Sequence, residues 1–89
     1  MSAITEELEQ HETFIVTKTN CPFCVQAKKL LTKKGVQFHE IDFLNAQKLV
    51  RNISEEESHM TFPMIYLKKK FIGGYDDLVE HYENEENKN

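Results

Sequence analysis

At 89 residues, with 29% charged side chains and three glycines, the chain makes one domain with a modest core; it is too small for two and not of a disordered composition. Its net charge of -4 gives no reason to expect nucleic-acid binding, and its apolar runs are far too short for a membrane span. Two cysteines cannot form a secreted disulfide framework, and the polar, acidic start does not read as a leader, so a soluble, cytoplasmic setting is expected.

Residues 2–10 suit a short docking helix, with Ser2 or Thr5 as cap, early glutamates, and Ile4 and Leu8 four residues apart. On this reading 1–12 is a helical extension, 13–83 the domain proper, and 84–89 a polar tail that frays. Thr13–Thr17 is a first strand, and Pro22–Lys34 is a helix with Cys24, Ala27, Leu30 and Leu31 on its apolar face, ended by Gly35.

Between strand and helix stands Cys21-Pro22-Phe23-Cys24, which holds both cysteines of the chain. Cys21 falls at the helix N-cap, where unpaired backbone N–H groups and the positive end of the helix dipole stabilise a thiolate. Pro22 suits the first helical position, which needs no N–H and wants the φ that proline fixes. Cys24, one turn further along the same face, is placed to attack a mixed disulfide on Cys21. Cys21 is thus the expected nucleophile and Cys24 the resolving thiol. Lys18, Lys28, Lys29, Lys33 and Lys34, with no acidic residue between Val16 and Phe38, add a positive field that solvent screens.

Other readings of the pair stay open at this point. A lone C-x-x-C is also half of a zinc site, although no second pair exists and His11, His39, His59 and His81 are scattered singly. Two buried, inert thiols are a further reading. A structural disulfide across so short a loop would constrain little of the unfolded chain.

Val36–Phe43 reads as a second strand, with Ile41 and Phe43 inward and Glu40 and Asp42 outward, parallel to the first through a right-handed helical crossover. Asn45–Glu57 is a second long helix, capped by Asn45, with Ala46, Leu49, Val50 and Ile53 on one side. Pro63–Leu67 is a buried strand, Lys68-Lys69-Lys70 a solvated hairpin turn and Phe71-Ile72 the partner strand. Gly73-Gly74 precedes a last helix over Asp76–Glu83 with acidic residues at its start. The order is (α)βαβαββα, an α/β chain.

The run Lys18-Thr19-Asn20-Cys21-Pro22-Phe23-Cys24, the triplet Thr61-Phe62-Pro63 and the stretch Gly73-Gly74-Tyr75-Asp76-Asp77-Leu78 together resemble the dithiol glutaredoxins, from Phe14 to about Tyr82. The resemblance implies a thioredoxin-like fold, a four-stranded mixed sheet flanked by helices, and a glutathione-dependent thiol-disulfide oxidoreductase. Glutathione is then the co-substrate, and no metal is expected. Cys21 matches the thiol that forms a mixed disulfide with glutathione, and Cys24 the second thiol used on protein disulfides. Lys18 matches the basic residue at the glycyl carboxylate. Thr61, Phe62 and Pro63 match a T-V-P loop whose proline is cis and whose preceding residue offers its backbone to the cysteinyl part of glutathione. Gly74, Tyr75, Asp76 and Asp77 match the turn and helix start that hold the γ-glutamyl end.

Three positions depart from the family pattern. Phe23 stands for the commoner tyrosine and keeps the aromatic wall of the site, Phe62 stands for valine, and Met60 occupies a place that is often polar or basic. Arg51, on the second long helix, is a candidate substitute charge at the glycyl end. The implied partners are glutathione and disulfide-bearing or glutathionylated proteins, ribonucleotide reductase among the family-level candidates, acting on a monomer. Two alternatives belong to other function classes. A glutathione-ligated iron–sulfur carrier is opposed by Pro22 and the absence of a C-G-F-S sequence, and a thioredoxin-like reductase by the absence of tryptophan.

Overall fold

The run Phe14-Ile15-Val16-Thr17 is buried at every position, so the strand it forms, β1 (Phe14–Thr17), must be covered on both faces. The computed structural model describes residues 2–86 and shows what covers it. Helices α1 (Ala3–Gln10) and α3 (Gln47–Glu57) lie on one side, and α2 (Pro22–Lys33) and α4 (Tyr75–Glu86) on the other. Alternation along β1 sends Phe14 and Val16 into a core with Ile4, Leu49, Ile53, Met64 and Tyr66. Ile15 enters the second core, with Ala27, Leu31, Ile65, Leu67 and Leu78.

The sheet has the order β2-β1-β3-β4, with β2 (His39–Asp42), β3 (Met64–Leu67) and β4 (Lys70–Gly73). β1 pairs parallel with β2, Phe14 opposite His39, and antiparallel with β3, Phe14 opposite Tyr66. This is the thioredoxin-like, four-stranded mixed sheet that the family resemblance implies. β3 and β4 form an antiparallel hairpin whose register shifts between Ile65–Gly73 and Tyr66–Phe71, leaving Ile72 as an extra residue.

Most boundaries follow local chemistry. Ser2 caps α1 by accepting the Thr5 N–H at 3.2 Å, and Asn52 of α3 accepts the Ala3 N–H at 2.9 Å, so α1 is docked as well as capped. α2 ends as Gly35 predicts. With φ +73, Gly35 donates to the Thr32 carbonyl and Val36 donates to the Leu31 carbonyl, both at 3.0 Å, which is a Schellman stop.

Four expectations are corrected. β2 begins at His39, not Val36, because the Val36 N–H is committed to the helix stop and the ladder with β1 starts where His39 stands opposite Phe14. Phe43 lies beyond β2 in a single 3-10 turn (Phe43–Asn45), which tucks its ring against Phe62, centroids 5.3 Å apart. That turn absorbs Asn45, so Ala46, without a side-chain hydrogen bond, holds the N-cap of α3. Finally, α4 starts at Tyr75 and runs to Glu86, so 84–86 are helical; the rest of the expected frayed tail, 87–89, lies outside the described residues.

The hairpin turn is Lys68-Lys69, with Lys70 already in β4. Both turn residues have positive φ, +49 and +71. That is the conformation a two-residue connection needs to match strand twist, usually supplied by asparagine and glycine. Lys68 N–H donates to Thr13 Oγ1 at 3.1 Å and Lys69 N–H to the Glu12 carbonyl at 2.8 Å.

Candidate active site

β1 ends at Thr17, at the C-terminal end of an inner strand, and Asn20, with φ +58, turns the chain into α2. Cys21 is the N-cap in extended conformation, and Pro22 occupies the first turn, as the sequence predicts. The Cys24 N–H donates to Cys21 Sγ at 3.2 Å, while the Cys21 carbonyl accepts from Cys24 and Val25. A sulfur in this place takes the part an N-cap oxygen usually plays, and negative charge on it is favoured by the same donor and the helix dipole. Cys21 and Cys24 are joined as a disulfide, their Cα atoms 5.2 Å apart. Cys21 is 7% exposed and Cys24 only 2%, so an incoming sulfur meets Cys21 first.

The Phe62 carbonyl oxygen lies 3.9 Å from Cys21 Sγ. The Phe62–Pro63 bond is cis and Pro63 is buried, both in keeping with the loop expected there. Lys18 Nζ stands 5.8 Å from the centroid of the Phe62 ring, close enough for cation–π attraction. Beside this loop opens a groove of about 330 Å³ lined by Phe23, His59, Thr61, Phe62, Gly74, Tyr75, Asp76 and Asp77. Phe23, 58% exposed, stacks on Tyr75 with centroids 6.1 Å apart and forms one wall.

Asp77 lies in the first turn of α4, and its Oδ2 accepts the Gly74 N–H at 3.0 Å. The Gly74 carbonyl accepts the Leu78 N–H, which makes Gly74 the N-cap. Asp77 thus closes half of a capping box. Gly73 has φ +119, and a β-carbon there would run into the Asp77 carboxylate.

On the other side of the cysteines a depression of about 460 Å³ is lined by Lys18, Cys21, Cys24, Lys28 and Glu40, among others. Glu40 Oε2 accepts from Thr17 Oγ1 at 2.9 Å and from Lys28 Nζ at 3.0 Å. Partial burial works to raise the Glu40 carboxyl, but the Lys28 and Thr17 hydrogen bonds and the Lys28 charge outweigh it and hold the group below its ordinary value.

The fold therefore gathers Phe23, Thr61, Phe62, Gly74, Tyr75, Asp76 and Asp77 in one groove, with Lys18, Cys21 and Pro63 at its margin. Arg51 lies on the exposed side of α3 and lines neither depression. Two features escaped the sequence reading. His59 Nε2 is 3.3 Å from the Pro63 carbonyl oxygen and 3.4 Å from Thr61 Oγ1, bracing the loop from inside the groove. The Thr17–Glu40–Lys28 cluster joins residues from three elements, and no local pattern announces it.

A family model described as glutaredoxin matches residues 13–72. The chain belongs to the glutaredoxin family. This glutaredoxin is 38% identical over 74 residues to glutaredoxin 1 of Rickettsia bellii, covering 79% of this chain and 76% of that one. It is 38% identical over 64 residues to glutaredoxin 3 of Escherichia coli K12, covering 72% and 77%. The dithiolic glutaredoxin of Trypanosoma brucei brucei superposes with a TM-score of 0.82 at 25% identity, over 94% of this chain and 90% of that one. Glutaredoxins are thiol-disulfide oxidoreductases, and glutathione is the reductant typical of the family. The disulfide at the C-x-x-C of this glutaredoxin is the oxidised form of such a redox pair. Among its described residues, no helix is long and apolar enough to cross a membrane.

Proposed function

We propose that the groove beside Cys21 binds glutathione and that the two cysteines divide the reaction between them. The observation that carries this reading is the 3.9 Å approach of the Phe62 carbonyl oxygen to Cys21 Sγ, at the head of a groove that ends on the α4 N-terminus. A peptide laid along it finds a backbone acceptor beside the sulfur, as in strand addition. Its glycyl carboxylate finds Lys18, with Arg51 in reach only of a ligand that extends onto α3. Its γ-glutamyl carboxylate meets the N–H groups that open α4, and its ammonium meets Asp76 or Asp77.

The Cys21 thiolate attacks the glutathionyl sulfur of a mixed disulfide and the substrate thiol leaves, taking a proton. Cys21 is left glutathionylated, and a second glutathione thiolate attacks that sulfur, so oxidised glutathione departs and the Cys21 thiolate returns. For a protein disulfide, Cys24 displaces the product from Cys21 and closes the Cys21–Cys24 bond, which two glutathiones reopen. Disulfide-bearing or glutathionylated proteins of a reducing cytoplasm are the natural substrates, with the protein acting as a monomer.

Glutathione-dependent reduction of a small glutathionyl mixed disulfide tests the assignment. Cys21→Ser is expected to abolish turnover, while Cys24→Ser retains it and loses only protein-disulfide reduction. Turnover surviving in Cys21→Ser, or vanishing in both, overturns the roles.

A further inference from the structure

We propose that Glu7, His11 and His39 form a binding site for a divalent transition-metal ion, zinc above all, at the end of the sheet opposite the cysteines. Glu7 and His11 share one face of α1 at i, i+4 spacing, and Glu7 Oε2 lies 2.7 Å from His11 Nδ1. His11 is also the C-cap of α1, its N–H bonded to the Glu7 carbonyl at 2.8 Å, so its backbone is fixed. His39 opens β2, its N–H donating to the Thr13 carbonyl at 3.1 Å. The parallel register then sets its ring on that of His11, centroids 3.9 Å apart and planes within 6°.

One ligand atom from each of the three side chains lies within 4.8 Å of the others. Two imidazoles and a carboxylate are a donor set suited to zinc, with water completing the tetrahedron. Imidazole nitrogen also disfavours magnesium and calcium, which take oxygen ligands. The site is reachable: His11 and His39 line an open depression of about 380 Å³, and His39 is exposed. In the sequence these histidines are scattered singly; the fold brings two of the four together with an acid.

The site lies before the N-terminal ends of β1 and β2, whereas Cys21 follows the C-terminal end of β1. Bound metal would thus tie α1 to β2 without entering the thiol chemistry. The test is a zinc titration of the oxidised full-length protein by calorimetry, with the disulfide closed so that the cysteines do not compete for the ion. One zinc per chain is expected. Affinity should fall by at least about 10-fold in His39→Ala and in Glu7→Gln, while His81→Ala binds as the parent does. Zinc should also raise the melting temperature of the parent and not of His39→Ala. Should His39→Ala fail to fold, Glu7→Gln, which keeps the helix residue count and side-chain size, decides the question. Absence of a saturable one-to-one site in the parent, or unchanged affinity in either ligand variant, overturns the proposal.

Discussion

Asp77 holds the backbone N–H of Gly74 at 3.0 Å, so the carboxylate that faces the groove is also the side chain that caps α4. Two substitutions separate those jobs. Asp77→Ala should cost about 1 kcal/mol of stability, as lost N-terminal caps do, and raise the KM for glutathione. Asp77→Asn keeps an oxygen acceptor, so its urea midpoint should stay near the parent's while KM still rises. Equal KM in parent and Asp77→Asn would remove the charge from the binding account.

Gly73→Ala tests the same corner from the other side. The φ of +119 is one an alanine rarely adopts, and its β-carbon would displace the Asp77 carboxylate. A loss of roughly 1–3 kcal/mol is expected in urea unfolding, with glutathione affinity lowered in parallel.

At the hairpin, Lys68 and Lys69 hold a left-handed conformation that favours asparagine and glycine. Lys68→Asn with Lys69→Gly should therefore stabilise the protein by about 1 kcal/mol, seen as a higher urea midpoint at unchanged slope. Neither side chain lines the active-site groove, so turnover should not change.

Tyr82 carries a buried hydroxyl with no hydrogen-bond partner among the described residues, and burial first, then Glu85, pushes its phenol upward. Tyr82→Phe removes the unsatisfied group and keeps the ring that Lys34 Nζ approaches to 5.3 Å from its centroid. A gain of about 1 kcal/mol is expected by thermal or urea unfolding.

Glu40 gives a pH dependence. Its folded-state pKa lies below the ordinary 4.5, so the unfolded chain takes up the proton first as pH falls. The stability it contributes is complete above 4.5 and is lost as pH drops through that value toward the folded one. Glu40→Gln should accordingly flatten the acid limb of the stability curve and leave the parent's advantage only at higher pH. Chemical unfolding from pH 6 to about 3 measures it.

The parts of this structure that were legible in the sequence are those fixed by neighbours along the chain. Gly35 marks the end of α2 because one turn of helix needs a left-handed residue there, and Cys21-Pro22 marks its start for equally local reasons. The groove was legible through resemblance, since Thr61 and Gly74 meet only after the hairpin and α4 have folded. His59 was not. Its partner is the Pro63 carbonyl across a turned loop, and nothing in Ser58-His59-Met60 distinguishes it from a surface histidine. The start of β2 was misplaced because Val36 and Phe38 are apolar enough for a strand, yet the Schellman bond had already claimed the Val36 N–H.

The two outer strands of the sheet have one more effect. β2 is His39-Glu40-Ile41-Asp42, with two carboxylates in four residues, and β4 opens on Lys70 and carries its extra residue at Ile72. Charge on one rim and an irregular ladder on the other are how proteins discourage edge-to-edge joining of sheets. The outer strands thus guard the two rims of the sheet against joining another sheet, while the cysteines sit at the end of the inner strand β1, away from both rims.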